Sequence, residues 1–436
     1  MTARNRPARL LVALPIAALA TTAACSTPAP ATTPATAPAG SAAPPSATSS
    51  ATACVTDPGR LPATAALGAG ALPADLVAKL DAAASSAYRQ AATPGVIVAV
   101  QTPQGRWIKA YGVAAPATKV PMTADMHTRI GSLTKPFVVT KILQLAEQDK
   151  LSLDDPIAKY VDGMPNGDTA TLRMLADMTS GVPSYTLDEA WVKKFLADPA
   201  QIWTPDQLIE VAAKLPASFA AGEKFEYSNT NTVLLGLVIE KVTGQSAEQA
   251  ITDTVLKPLD MTSTTWPGSS TALPKPFPQG FTLQSPKATS TKPVNSTHWN
   301  PSWEWTAGAL VSTADDLLRG ARGIATGQGV LSAASQEARL RSVPDAMGYG
   351  LGFGCGNGWV GHSGEVPGYS TSMFYDTGHD YAVGVQTNSD ISSGDCEVSP
   401  TLQDNPSDLP CSAPSVRVLV ALSKALGTTF EPPARR

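Results

Sequence analysis

Apolar and polar positions alternate as in β-strands near both ends of the chain, and each such region adjoins a stretch with helical spacing. Glycine and proline separate the strands: Pro103-Gln104-Gly105 predicts a turn within the first pair, and Thr377-Gly378-His379 within the second. The pattern predicts two hairpins, with strands at 95–100 and 107–113 after a helix at 72–90, and strands at 372–376 and 381–386 before a helix at 416–426.

The long region between the hairpins has mainly helical signals. Thr204-Pro205 is typical of an N-cap followed by a first-turn proline, and Gly244 ends a helix with an apolar face from Leu234 to Ile239. We therefore expect an α+β fold, in which both chain ends build an antiparallel sheet, terminal helices cover its face, and a helical lobe is inserted. The crevice between the lobes is the expected site.

Ser132 precedes Lys135 by three residues, and no other serine of the chain has a lysine at that spacing. The apolar positions from Val138 to Ala146 predict a buried helix with Ser132 at its N-terminus. A serine hydroxyl needs a nearby base to attack a carbonyl, and a lysine one turn further lies on the same helix face. The alternative interpretation makes Ser132 a helix cap and Lys135 a solvated residue of the first turn.

Two further motifs carry polar groups suited to a crevice. Tyr227-Ser228-Asn229 precedes a predicted helix, where a tyrosine hydroxyl could relay a proton and an asparagine could hold a substrate amide. His362-Ser363-Gly364 would place an imidazole, a hydroxyl and an accessible backbone on a strand edge. Taken singly, these residues are equally explained as a packed aromatic, a helix cap and a strand histidine satisfied by a neighbour.

The N-terminal region is predicted to direct export. Residues 1–24 combine three arginines with a short apolar run at 10–20, which is typical of a signal peptide and too short to span a membrane. Cys25 follows Thr22-Ala23-Ala24, which resembles a bacterial lipoprotein cleavage site with threonine where leucine is usual. Residues 25–54, almost entirely Ala, Thr, Pro, Ser and Gly, are predicted to form a disordered tether, with a folded domain at 55–436.

Charge and cysteine content narrow the function. A net charge of -4 with 16% charged residues gives no basic footprint, so nucleic acid is not expected as a partner. Without a CxxC motif or paired histidines, no metal site is expected. The four cysteines after Cys25 predict two disulfides of open connectivity, among Cys54, Cys355, Cys396 and Cys411.

Taken in order, Ser132-x-x-Lys135, Tyr227-x-Asn229 and His362-Ser363-Gly364 resemble the serine β-lactamase and penicillin-binding peptidase superfamily. The second and third motifs are most similar to D-alanyl-D-alanine carboxypeptidases and relatives of class C β-lactamases. The resemblance extends over roughly residues 70 to 426 and implies the β-lactamase/transpeptidase-like fold, without a cofactor.

The resemblance also implies a role for each motif residue. Ser132 would be the acylated nucleophile, Lys135 its base, and Tyr227 the shuttle that carries the proton to the leaving group. Asn229 would hold the substrate's amide carbonyl. The other implied contacts are the strand residues His362, Ser363 and Gly364, the backbone N–H of Glu365 as an oxyanion donor together with that of Ser132, and Trp303 as a wall of the site.

Two departures bear on the substrate. Lysine and threonine usually precede glycine in the third motif of β-lactamases proper, so His362-Ser363-Gly364 favours peptidase, esterase or amidase chemistry. Carboxypeptidases of the superfamily can bind the substrate's terminal carboxylate through an arginine just ahead of this motif, and Tyr349 to Trp359 contains none.

The sequence therefore predicts an exported, monomeric serine hydrolase that acts through an acyl-enzyme. A D-alanyl-D-alanine carboxypeptidase-type enzyme on cell-wall peptides, or on related esters and amides, is the leading hypothesis, and a β-lactamase is the second. A non-catalytic surface binding module is the third. Peptidoglycan is a candidate partner, and a lipid on Cys25 is a candidate membrane attachment.

Overall fold

The structure, a computed structural model, describes residues 53–344 and 347–432. The predicted signal peptide at 1–24, the lipidation candidate Cys25 and the tether up to residue 52 lie outside the described residues. In the part of the chain that is described, no helix is both long and apolar enough to cross a membrane.

Both ends of the chain contribute strands to one eight-stranded antiparallel sheet, in the order β3-β2-β1-β12-β11-β10-β9-β8. Four short strands form two separate pairs, β4 with β7 and β5 with β6. In chain order the strands are β1 (Gly95–Thr102), β2 (Gly105–Ala115), β3 (Val120–Pro121), β4 (Thr128–Arg129), β5 (Phe281–Thr282), β6 (Val294–Asn295), β7 (Val311–Ser312), β8 (Met347–Tyr349), β9 (Gly354–Gly356), β10 (Trp359–Val366), β11 (Tyr369–Asp376) and β12 (Tyr381–Thr387).

Helices flank the sheet and fill the region between its two halves. In chain order they are α1 (Ala74–Gln90), α2 (Lys135–Glu147), α3 (Leu172–Ala176), α4 (Glu189–Ala197), α5 (Pro205–Ala213), α6 (Asn229–Thr243), α7 (Ala247–Ile251), α8 (Trp305–Gly308), α9 (Ala314–Thr326), α10 (Ala333–Arg341) and α11 (Pro414–Ala425). Short 3₁₀ segments occur at Leu61–Ala63, Gly131–Thr134, Ile157–Lys159, Tyr185–Leu187 and Pro301–Trp303, and a π-helical turn at Thr252–Leu256.

Strand β1 shows how the sheet divides the core, since its side chains alternate between two buried faces. Val96, Val98 and Val100 belong to the apolar cluster that contains α1 and α11. Ile97 and Ala99 belong to the larger cluster that contains α2 and α9. A strand covered on both faces has an almost continuous apolar sequence, which explains the run from residue 95 to residue 100.

The predicted hairpins and fold class are confirmed. Both hairpins occur, with strands one to four residues longer than the sequence indicates, and the terminal helices shift by two residues at most at either end. Thr204 accepts a hydrogen bond from the backbone N–H of Gln207 in a capping box, and Gly244 ends α6 with a φ of 69°. Local signals were sufficient here because caps and turns depend on neighbouring residues.

Two disulfides join Cys54 to Cys355 and Cys396 to Cys411, which settles the pairing that the sequence left open. Cys54 is only 5% exposed and is bonded to β9, so the ordered domain includes it. The sequence could not indicate this bond, because a cysteine at the end of a low-complexity stretch gives no local sign of its distant partner.

The two disulfides should contribute unequally to stability. They close loops with sequence separations of 301 and 15 residues, and the entropy that a cross-link removes from the unfolded chain grows with loop length. We expect the Cys54→Ala/Cys355→Ala variant to lose about 5 kcal/mol of unfolding free energy and the Cys396→Ala/Cys411→Ala variant about 3 kcal/mol. Urea unfolding of both variants beside the oxidised wild type measures this, and the reverse order would contradict it.

Candidate active site

Ser132 lies in the 3₁₀ turn Gly131–Thr134, which leads directly into α2. Gly131 has a φ of 54°, a conformation that glycine adopts at little cost. A methyl group at Gly131 would lie 2.8 Å from the backbone nitrogen of Glu365, so a side chain there would collide with β10. Glycine at residue 131 thus lets the turn that carries Ser132 approach the strand closely.

Gly364 makes the same approach possible from the strand side. A methyl group at this residue would lie 2.0 Å from the carbonyl oxygen of Ile130, and the Thr371 hydroxyl donates to that carbonyl at 2.8 Å. The backbone of β10 therefore packs directly against the Ser132 turn. The N–H groups of Ser132 and Glu365, which the family resemblance implies as oxyanion donors, belong to these two adjacent segments.

Lys135 is fully buried and its ammonium nitrogen contacts three oxygens. Nζ lies 2.9 Å from Ser132 Oγ, 2.7 Å from Asn229 Oδ1 and 2.7 Å from the carbonyl oxygen of Ala307. The three partners come from the turn before α2, the first residue of α6 and the short helix α8. Lys135 therefore joins the first and second sequence motifs, and the interpretation of this lysine as a solvated first-turn residue is wrong.

These three contacts determine where the lysine lone pair points when the amine is neutral. The oxygens of Asn229 and Ala307 can only accept, so each must receive an N–H from Lys135. The Ser132 hydroxyl can donate as well as accept, and it is the contact left for the lone pair. A neutral Lys135 is thus oriented to take the proton of Ser132.

Burial favours the neutral amine. It lowers the pKa of Lys135 to about 7, and the nearby Glu304 carboxylate opposes this shift. Burial also raises the pKa of Glu304, and the Lys135 ammonium opposes that shift in turn. Near neutral pH, a change in the protonation of either group therefore costs little free energy. The neutral base form of Lys135 is accessible.

Glu304 was not predicted as a functional residue. It is 4% exposed, and a methyl group at Gly308 would lie 2.0 Å from its Oε2 and 3.2 Å from the carbonyl carbon of Gly131. The carboxyl group therefore lies where α8 meets the Ser132 turn. The available signal in the sequence was a single acidic residue between two tryptophans in Trp303-Glu304-Trp305, because a carboxylate in so apolar a run is costly unless it has a partner.

Tyr227 lies beside Lys135 and Ser132. Its ring centroid is 4.8 Å from Lys135 Nζ, and its buried hydroxyl lies near Ser132 without a hydrogen bond of normal geometry. Burial raises the pKa of Tyr227 well above its usual value, so the phenol is protonated at neutral pH. A protonated phenol next to the nucleophile can donate a proton to a group that leaves from it.

Asn229 begins α6 and uses both ends of its amide. Its Oδ1 accepts from Lys135, and its Nδ2 donates to the Thr186 hydroxyl at 3.3 Å. Its backbone N–H donates to the Ser184 hydroxyl at 3.1 Å. Since Nδ2 carries two hydrogens, one remains for an acceptor in the crevice.

His362 is buried and held in one neutral tautomer. Its Nδ1 contacts the carbonyl oxygen of Ser363, an obligate acceptor, so Nδ1 carries the hydrogen. Nε2 must then accept, and the Tyr349 hydroxyl donates to it at 3.0 Å. Burial and the nearby Lys135 charge lower the pKa of His362 to about 3. At neutral pH His362 is therefore present in the site as an uncharged ring.

Tyr349 is the second residue that the sequence reasoning missed. It connects the second and third motifs, since its ring centroid lies 6.3 Å from that of Tyr227 and 5.6 Å from that of His362. No motif contains it, and its importance depends on the pairing of β8 and β9 beside β10. Only the three-dimensional arrangement identifies it.

The remaining predicted site residues lie at different depths. On β10, Ser363 is exposed and Glu365 is partly exposed. Trp303 is 3% exposed, and its ring packs 4.8 Å from that of Phe195 and 5.8 Å from that of Trp191. Its ring thus belongs to an aromatic cluster of the helical lobe, and substrate contact by Trp303 stays a prediction.

Among the residues described, no cluster of His, Cys, Asp and Glu could hold a metal ion.

The chain is similar in sequence and in fold to known proteins. The model of the family described as β-lactamase matches residues 74–403 of this chain. The structure of a D-stereospecific amidohydrolase from a Streptomyces species superimposes with a TM-score of 0.66 and 31% sequence identity, covering 72% of this chain and 94% of that one. The octameric penicillin-binding protein homologue from Pyrococcus abyssi has a TM-score of 0.65 and 27% identity, over 82% and 79% of the two chains.

Curated relatives match over a shorter stretch. The protein flp of Staphylococcus aureus strain MW2 is 35% identical over 217 residues, which are 48% of this chain and 41% of the relative. The matched region thus spans about two fifths of that relative's length.

Proposed function

The chain belongs to the β-lactamase family of serine hydrolases, and we propose that it is an exported hydrolase of amide, peptide and ester bonds that follow a D-configured residue. The observation that carries the proposal is the buried Lys135, whose Nζ lies 2.9 Å from Ser132 Oγ with its lone pair directed at that hydroxyl. Similarity to the D-stereospecific amidohydrolase supports the preference for D-residues.

In the acylation step, Ser132 Oγ forms a bond to the substrate carbonyl carbon while its proton moves to Lys135 Nζ. The carbonyl oxygen becomes an oxyanion, which the N–H groups of Ser132 and Glu365 would hold. Asn229 Nδ2 would donate its free hydrogen to another carbonyl of the acyl chain, which fixes the substrate's orientation. The bulk of the rate acceleration is assigned to the directed base and these fixed donors.

Collapse of the oxyanion then breaks the bond to the leaving group. Tyr227 gives its phenolic proton to the departing nitrogen or oxygen and recovers one from Lys135, which restores the neutral amine. Water attacks the Ser132 ester in the second half of the reaction, losing a proton to the same Lys135–Tyr227 pair. The ester bond to Ser132 Oγ then breaks, the pair returns this proton to Oγ, and the acid product leaves.

A pair of matched peptides tests this function. We expect release of D-alaninamide from acetyl-Gly-D-Ala-D-Ala-NH₂ to have a kcat/KM on the order of a hundredfold above its release from acetyl-Gly-L-Ala-D-Ala-NH₂, since only the first peptide has a D-residue before that bond. Equal rates, or no turnover of either peptide, would refute the proposal. Faster consumption of a penicillin than of either peptide would instead assign the chain as a β-lactamase.

The Glu304→Gln substitution should shift the pH dependence of kcat/KM. The neutral amine is the active form of Lys135, so activity should rise as pH increases through the pKa of that amine, which is about 7. The Glu304 carboxylate raises this pKa, and its removal should move the rising limb to lower pH by about one unit or more.

The exposed Glu210→Gln variant is the matched control for this measurement. If Glu304 had a purely structural role, its substitution would lower the rate at every pH without shifting the pH profile. That result would contradict an effect of Glu304 on the pKa of Lys135.

Export and membrane attachment rest on the sequence alone. The apolar run at 10–20 and the low-complexity segment at 26–53 support a secreted domain held on a tether, with Cys25 as the lipidated residue. The Cys25→Ala substitution should then move the protein from the membrane fraction to the medium of the producing cells. An unchanged distribution would exclude lipidation at Cys25.

A further inference from the structure

Three rings form one wall of the active site next to the Tyr227 hydroxyl. The centroid of Tyr227 lies 6.3 Å from that of Tyr349 and 6.1 Å from that of His362. Phe225 extends the group, with its centroid 5.8 Å from that of Tyr349. If Tyr227 protonates the leaving group, that group departs toward this ring wall, defined here as Phe225, Tyr227, Tyr349 and His362.

The ring wall carries no charge at neutral pH. Burial raises the pKa of both tyrosines, and it lowers the pKa of His362. Geometry leads to the same state for His362, because one nitrogen donates to the Ser363 carbonyl and the other accepts from Tyr349. Neither nitrogen of the imidazole is left to bind an anion.

The cations nearest to the wall are already used. Lys135 already contacts three oxygens of the site. Arg339, which lies behind Tyr349, is 1% exposed and donates to the Leu351 carbonyl, the Thr140 hydroxyl and the Pro136 carbonyl.

Other charges around the site do not favour an anion either. The exposed Lys224 lies over the ring of Phe219, which is not part of the wall. Arg129 donates from Nη2 to backbone carbonyls such as that of Trp299, and its buried Nη1 has no partner among the described residues, but it lines a cavity with Glu304 that contains none of the wall residues. Two carboxyl groups, Glu304 near Lys135 and Asp177 near Tyr349, oppose an additional negative charge once they are ionised.

We propose that this site selects substrates whose leaving group is uncharged, namely primary amides, esters and peptides with a blocked C-terminus, and that it discriminates against a free terminal carboxylate. A carboxylate placed against the ring wall would lose its hydration without gaining a cationic partner, which is costly. An amide or ester would lose far less and could pack on the rings.

The inference rests on the proposed function and narrows it. Within D-residue hydrolysis, it replaces the carboxypeptidase hypothesis with amidase, esterase and endopeptidase chemistry. Penicillins carry a carboxylate on the leaving-group side of the scissile amide, so the same wall should make them poor acylating agents.

The test compares acetyl-Gly-D-Ala-D-Ala-NH₂ with acetyl-Gly-D-Ala-D-Ala and follows cleavage of the bond between the two D-alanines, as release of D-alaninamide from the first and of D-alanine from the second. We expect the wild-type kcat/KM to be tenfold or more higher for the amide, with the difference mainly in KM. Equal values, or a preference for the free acid, would overturn the inference while leaving the proposed function in place. Turnover of neither peptide would overturn the proposed function itself.

A substitution in the ring wall tests whether the wall causes the preference for the amide over the free acid. His362→Lys places an ammonium where the neutral imidazole stands, and it should reduce the amide-to-acid ratio by about tenfold whatever its effect on the absolute rate. Gln104→Lys, which adds the same charge on an exposed side chain in the turn between β1 and β2, is the control and should leave the ratio almost unchanged. A ratio that responds equally to both variants would show a general charge effect and contradict the assignment. Should His362→Lys not fold, Tyr349→Lys makes the same change in the wall.

Discussion

Replacing Lys135 with methionine should lower kcat/KM by about three orders of magnitude or more, the range expected for loss of a positioned base. Methionine keeps the approximate length and apolar stem of the side chain but provides no group to accept the Ser132 proton. It also leaves the oxygens of Asn229 and Ala307 without their donor. The rise of activity near pH 7 should disappear in the remaining rate, because the titrating amine is gone.

Lys141→Met provides a control on the same helix. Lys141 is also buried in α2, but its Nζ donates to the Thr254 hydroxyl at 3.1 Å and contacts no residue of the site. This variant should keep nearly the wild-type kcat/KM. If Lys135→Met retained more than about a tenth of the activity while Lys141→Met behaved as expected, Lys135 would not be the base.

Ser132→Ala should abolish covalent acylation, since among the described residues no other side-chain hydroxyl hydrogen-bonds to Lys135 Nζ and could give its proton to that amine. Incubating the wild type with a slowly hydrolysed D-alanyl ester and measuring intact mass should show the mass of one acyl group added. The variant should show none, with turnover at the level of the uncatalysed reaction. Peptide mapping should place the wild-type adduct on the peptide that contains Ser132.

Ser152→Ala, which changes an exposed serine after α2, is the control for this experiment and should acylate normally. Removal of the Ser132 hydroxyl should leave thermal unfolding almost unchanged, because its one hydrogen bond in the site is to Lys135. An adduct of equal yield in Ser132→Ala would assign the nucleophile to another residue.

The sequence predicted those parts of the fold that depend on neighbouring residues. The hairpin around Pro103-Gln104-Gly105, the cap at Thr204 and the end of α6 at Gly244 all follow from turn and capping chemistry within a few residues. The sequence predicted that strands from both chain ends share one sheet, but not that β1 pairs with β12. The register of this pairing, with Val98 opposite Val385, depends on packing across the whole core.

The candidate site was predictable where chemistry is concentrated in motifs. Ser132, Lys135 and Asn229 meet at hydrogen-bonding distance as the order of their motifs indicated. Glu304 and Tyr349 could not be selected in this way, because an isolated acid or tyrosine gains its role only from what folds against it. The charge state of His362 could not be predicted from its motif for the same reason, since it depends on burial and on a tyrosine 13 residues earlier.

The Cys54–Cys355 bond also determines how the domain carries mechanical load. Cys355 lies in β9 and is paired with Val360 of β10, the strand that continues through His362, Ser363 and Gly364. A pull on the N-terminal segment therefore reaches the sheet through a covalent cross-link next to the active-site strand, while the chain between residues 55 and 354 is bypassed. If the N-terminal segment is the predicted tether, tension on it would act on the strand that borders the substrate before it acted on the helical lobe.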